Sequence, residues 1–100
     1  MADIALENSL SLGEAGYPPT LPSSGLSNKT KVAGKKVVLQ GSTKYAAHVK
    51  PRSPTHTEDM RIVTGGSGKA SIEGHPIARK GDSIADGDTI NQGYSKVNVG

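Results

Sequence analysis

Three histidines, His48, His56 and His75, are the residues of this chain best suited to proton transfer or metal binding. Three carboxylates, Asp82, Asp86 and Asp88, crowd one short stretch, and hard cations favour such oxygen donors. The run Gly65-Gly66-Ser67-Gly68-Lys69 invites comparison with a phosphate-binding loop. Each option meets an obstacle. A phosphate loop needs glycine at position 63 and a hydroxyl residue at 70, where Val63 and Ala70 stand. The aspartates lack the spacing of a helix–loop–helix calcium site and suit an acid-rich turn. With no cysteine, thiolate catalysis, disulfides and thiolate zinc sites are excluded. No spacing assembles a nucleophile, a base and an orienting group, so the expectation is a non-enzymatic protein without a small-molecule substrate.

The net charge of +3 is unevenly spread. Seven bases and no acid fall between Lys29 and Thr57, whereas Asp3, Glu7 and Glu14 are the only charges before Lys29. A basic stretch of this kind suits nucleic acid or an acidic protein surface. No aromatic residues are interleaved with the lysines as stacking on bases requires. A solvated strand-and-loop face is therefore the expectation, nucleic acid is not an expected partner, and a small basic nucleic-acid-binding β domain is the alternative.

The elements that must position these residues are short. Thirteen glycines and six prolines in 100 residues favour turns and brief strands, and the absence of Phe and Trp rules out a large aromatic core. A domain of this size typically buries only about 60–70% of its unfolded surface, so a partner, a metal or dense backbone hydrogen bonding must add stability. No apolar run approaches the roughly 20 residues that span a bilayer. The opening Met1-Ala2-Asp3-Ile4 has no basic patch followed by an apolar stretch, so no signal peptide is expected.

Residues 1–30 are rich in Ser, Pro, Gly and Leu without helical period, which predicts an extended N-terminal arm packed on the rest. Residues 31–100 read as short alternating strands. Lys36-Val37-Val38-Leu39-Gln40-Gly41 sets Val37 and Leu39 on one face. Lys69-Ala70-Ser71-Ile72-Glu73-Gly74 and Lys96-Val97-Asn98-Val99-Gly100 repeat the form, and Val63 and Gly66 match Ile90 and Gly93. Units this small must pack on one another. Three around an axis predict an all-β, small conical domain of short hairpins with pseudo-threefold symmetry.

The stretch Lys69–Gly100 carries a more specific signal: Pro76-Ile77-Ala78-Arg79 follows an apolar-x-Gly strand and precedes Gly81-Asp82. It resembles the PAAR-repeat family, named for its Pro-Ala-Ala-Arg motif, and Ile90, Gly93 and the strand Lys96–Gly100 fit the order seen there. Pro76 suits a strand edge. Arg79 can reach a carboxylate or turn carbonyls, and Asp82 suits a tight turn. The resemblance implies a tip that caps and sharpens a trimeric β-helical spike, one copy per trimer, and contacts the target membrane when a sheath contracts. The setting is a phage tail baseplate or type VI secretion, with assembly on the virion tail tip or in the bacterial cytoplasm and export by contraction. The expected spike-docking strands carry Val37, Leu39, Ile72, Val97 and Val99. Many members of the family bind zinc near the apex, and a zinc or iron ion there is the metal the resemblance implies for this chain. By that resemblance His48, His56 and Asp86 are the expected ligands, with Asp86 standing where the family often has Cys. The first repeat shows Ser42-Thr43-Lys44-Tyr45 after Gly41 in place of a Pro-Ala-Ala-Arg-like turn.

Overall fold

The computed structural model describes residues 2–13, 19–46, 48–50, 53–58, 61–85 and 88–100, with backbone alone for 48–50 and 53–58. Among these residues every regular element is a strand: β1 (Ala2–Ile4), β2 (Pro22–Ser24), β3 (Lys31–Val32), β4 (Lys35–Lys36), β5 (Lys44–Tyr45), β6 (His48–Lys50), β7 (Ser53–Glu58), β8 (Ser71–Ile72), β9 (His75–Pro76) and β10 (Tyr94–Val99). The chain is therefore all-β and small, as its glycine and proline content requires.

The strands pair antiparallel in twos: β1 with β10, β2 with β5, β3 with β4, β6 with β7, and β8 with β9. The hairpins β3–β4 and β8–β9 share one construction. Their two-residue turns, Ala33-Gly34 and Glu73-Gly74, both run through positive φ (53° and 78°, then 54° and 83°). Such turns match the right-handed twist of the flanking strands. Alanine and glutamate pay for this with a left-handed backbone that costs a non-glycine residue roughly 1–2 kcal/mol. The pairing of β1 with β10 joins strands from opposite ends of the sequence, with Ala2 opposite Val99 and Asp3 opposite Asn98.

Beyond these pairs, three segments meet at the centre. Ala5 N–H donates to the Ala78 carbonyl at 3.1 Å, Ala78 N–H to Val38 at 3.0 Å, and Val38 N–H to Ala5 at 3.0 Å. The three bonds form a closed cycle, and its three residues are fully buried. Flanking bridges repeat the order: Ile4 with Arg79, Leu6 with Val37, Leu39 with Ile77.

Strand alternation sends neighbouring side chains to opposite sides of this ring. Ala5, Val38 and Ala78 pack with Tyr45, Val63, Ile84 and Ile90 on one side. Ile4, Leu6, Val37, Leu39, Ile77 and Val99 form the second cluster. Small residues stand at the ring because three backbones converge there.

Residues 2–11 are built into this body. Ile4, Ala5 and Leu6 belong to the core, and Ser9 and Ser11 are buried. The strand partner of Ala2–Ile4, β10, lies at the far end of the sequence.

Candidate docking site

Three turns surround the ring, each closed by a backbone hydrogen bond from its fourth residue to its first. Ser9 N–H donates to the Leu6 carbonyl at 2.9 Å, Ser42 N–H to Leu39 at 3.4 Å, and Asp82 N–H to Arg79 at 3.0 Å. In each, a side-chain oxygen reaches back to the first residue. Leu6 N–H donates to Ser9 Oγ at 3.0 Å, Leu39 N–H to Thr43 Oγ1 at 2.8 Å, and Arg79 N–H to Asp82 Oδ2 at 2.7 Å. Gly41 and Gly81 supply the left-handed residue of the second and third turns, with φ of 77° and 93°. The segment after Gly41 thus forms the counterpart of the Gly81-Asp82 turn, although its residues differ from the Pro-Ala-Ala-Arg pattern.

These bonds also correct the alignment of the repeats. Lys36–Gly41 corresponds to Pro76–Gly81, not to Lys69–Gly74 as the sequence pattern suggested. The outgoing and returning strands of a hairpin carry the same apolar alternation, so the pattern alone does not separate them. Hydrogen bonding does: Ser27 N–H donates to the Val37 carbonyl at 3.0 Å as Ser67 N–H does to Ile77 at 2.8 Å.

Arg79 departs from its apolar counterparts Leu6 and Leu39. Its guanidinium grips Asp82 with two hydrogen bonds, Nε to Oδ2 at 3.1 Å and Nη2 to Oδ1 at 2.9 Å, and Nη2 adds the Gly66 carbonyl at 3.3 Å. The hydrogen bond to Asp82 holds the Arg79 pKa above its ordinary value. The charge therefore stays on this turn, braces it and keeps out of the apolar cluster beneath. Pro76 lies at the end of β9, and Ile77 and Ala78 pass directly into the core.

The side chains of Val37, Leu39 and Val99, three of the residues expected to dock on a partner, are turned into the second apolar cluster and are buried. Strand alternation leaves them no other course. Ile72 and Val97 are only partly buried, and with Val32, Ala70 and Tyr94 they border that cluster. This border is the surface through which the cluster is reached, and it is the candidate docking site.

Of the expected metal ligands, Asp86 and the side chains of His48 and His56 lie outside the described residues. The β6–β7 pairing sets residue 48 opposite residue 58, with 56 two positions along β7. Among the described residues no group of three metal-binding side chains occurs. His75 Nδ1 lies 3.2 Å from the Gln40 carbonyl.

A second buried centre went unnoticed in the sequence. Arg61 Nη2 donates to Asp88 Oδ2 at 2.7 Å, with both side chains essentially without solvent exposure. Arg61 Nη1 donates to the Ala46 carbonyl at 2.7 Å and to Thr20 Oγ1. Asp88 Oδ1 accepts the N–H groups of Gly13 at 3.0 Å and Thr89 at 2.8 Å. Tyr45, stacked near the guanidinium, donates its hydroxyl to the Ser9 carbonyl at 2.7 Å, and burial drives its pKa up. The available signal was the register of Arg61 with Val63, two residues apart and both inward.

No protein-family model matches the chain, and no curated protein matches it either.

Proposed function

We propose that the chain is a structural tip that caps the blunt end of a trimeric β-helical spike, one copy per trimer, in a contractile injection machine of a phage tail baseplate or a type VI secretion system. The observation that carries this reading is the closed cycle of hydrogen bonds through Ala5, Val38 and Ala78. Each residue of the cycle is followed by an equivalent turn, so one chain offers three comparable edges. A true trimer repeats one surface three times about its axis, and a monomer matches it only with an internal threefold arrangement. The likeness of Pro76–Asp82 to the PAAR motif supports the same assignment.

In this reading the domain is a pseudo-threefold cone whose third unit joins Ala2–Leu6 to β10. The N-terminal arm is then divided: residues 2–6 belong to that unit, and 19–28 lead into the first. Pairing with the spike covers strand edges that would otherwise promote aggregation. The chain acts mechanically, without catalysis or small-molecule substrate, and meets the target membrane during piercing. A zinc or iron ion held by His48, His56 and Asp86 belongs to the same proposal. Elemental analysis of protein purified without chelator tests it: near one metal per chain supports those ligands, and none removes them.

One observation favours a nucleic-acid-binding alternative. Hairpin β3–β4 carries Lys31 opposite Lys36 and Lys35 opposite Val32, a local concentration of positive charge. DNA binding that weakens steeply with salt would support it. The tip reading is tested by native mass spectrometry of the chain co-expressed with the trimeric β-helical spike of the same genome. One chain per trimer is expected. No complex, or three chains per trimer, overturns the reading.

A further inference from the structure

The hydrogen bonds that align the three units also align residues that no bond requires. Ser27 and Ser67 donate their N–H groups to Val37 and Ile77, and Tyr94 pairs with Ile4 in the corresponding place. Two residues beyond these stand Lys29, Lys69 and Lys96, all exposed. From this level through the turns at Ser42, Asp82 and Ser9, it is the one position at which the three units carry the same residue. The buried positions share only apolar character: Val37, Ile77 and Ile4 at one level, Val38, Ala78 and Ala5 at the next.

Packing does not account for the match, since an exposed lysine fills no space in the core. A local ion pair does not account for it either. The Glu73 carboxylate accepts the Lys29 N–H at 3.3 Å and thus lies beside that residue. Neither residue that corresponds to Glu73 in the other two units, Ala33 or Gly100, has a carboxylate side chain. An identical charge repeated three times on otherwise dissimilar units fits a partner that is itself repeated three times. Each lysine follows one unit's entry toward the apolar border formed by Val32, Ile72 and Val97. A charge at the rim of an apolar contact sets register and speeds encounter when its opposite faces it.

We propose that Lys29, Lys69 and Lys96 each meet one carboxylate on each of the three subunits at the end of the spike, around a shared apolar centre. This rests on the tip reading and adds the chemistry of the partner's face: apolar in the middle, with one acidic residue per subunit at the rim. The two structurally similar lysines on the strongly basic hairpin β3–β4, Lys31 and Lys36, have no lysine counterparts in the other units and take no part.

The test measures binding of the full chain to the isolated trimeric spike at several salt concentrations. The variants are K29Q, K69Q and K96Q singly and together, with K31Q/K36Q/K80Q as an exposed control of equal charge change. Thermal melts verify that each variant is folded. Each single change is expected to weaken binding about fivefold, the triple about 100-fold, and the control less than about threefold, because rim charges act nearly independently when well separated. The triple variant is also expected to flatten the salt dependence. A wild-type complex that survives the triple change, or that the control weakens equally, overturns this proposal and leaves the tip reading intact. Failure of the wild type to bind overturns both.

Discussion

Two buried centres hold this molecule together by opposite means. At the ring, Ala5, Val38 and Ala78 bring only backbone polar groups into the interior, and each finds its partner in the next segment. At Arg61 and Asp88 a full ion pair is buried, and Thr20, Ala46, Gly13 and Thr89 are hydrogen-bonded to it. The ring is apolar and closed by backbone groups; the Arg61–Asp88 pair is charged. Interiors tolerate a rearranged apolar cluster far better than a charge that has lost its partner. The two centres should therefore respond very differently to substitution.

The largest effect is expected at the ion pair. Asp88→Ala removes the carboxylate that stands 2.7 Å from the buried Arg61 guanidinium, at a cost of about 3–5 kcal/mol. Against a typical total of about 5–15 kcal/mol that brings the domain near unfolding. Chemical denaturation of Asp88→Ala beside Arg61→Met/Asp88→Leu checks it: the double variant should be the more stable of the two. Equal losses would mean that desolvated charge is not the dominant cost.

The ring and its clusters should yield intermediate effects. Leu39→Ala opens a cavity in the second cluster, an expected loss of about 2–5 kcal/mol. Ala78→Leu forces bulk into the convergence of three backbones, with an expected loss of about 1–3 kcal/mol. If Ala78→Leu proves harmless, the segments do not meet as closely as the hydrogen bonds require.

A gain is expected at the exposed turn. Ala33 holds a φ of 53°, so Ala33→Gly should relieve strain and raise stability by up to about 1 kcal/mol, seen as a higher Tm.

The smallest effect concerns pH. The Glu73 carboxylate accepts N–H groups from Asn28 and Lys29, and these bonds hold its pKa below the ordinary value of 4.5. A depressed native pKa contributes stability that is complete above the unfolded value and is lost as pH falls through the native one. Glu73→Gln should therefore flatten stability against pH below about 4.5 and change little near neutrality. An unchanged acid limb in the variant would show that Glu73 does not contribute.

The comparison between the two centres also explains what the sequence revealed. Repetition made the apolar body legible: Val37 and Leu39 do share one cluster while Val38 faces the other. The match of Val63 with Ile90 also reappears, both packed in the first cluster. The ion pair was hidden because Arg61 and Asp88 each occur once in this setting and meet across 27 residues of chain. Asp88 had been grouped with Asp82 and Asp86 as an acid of one turn, but the fold separates it from Asp82: Asp82 grips Arg79 and Asp88 grips Arg61. Ala2–Leu6 escaped notice for a related reason, since a strand whose partner lies at the far end carries no local sign of it.

One chain closes three of its segments, at Ala5, Val38 and Ala78, into a single cycle of hydrogen bonds that includes its first residues. Native-state hydrogen exchange of the Ala5, Val38 and Ala78 amides tests this most directly. The account predicts that all three exchange only through global unfolding, with protection factors within about tenfold of one another. An Ala5 amide that exchanges orders of magnitude faster than those of Val38 and Ala78 would contradict it, because the N-terminal segment would then open alone and the cycle would not be a unit.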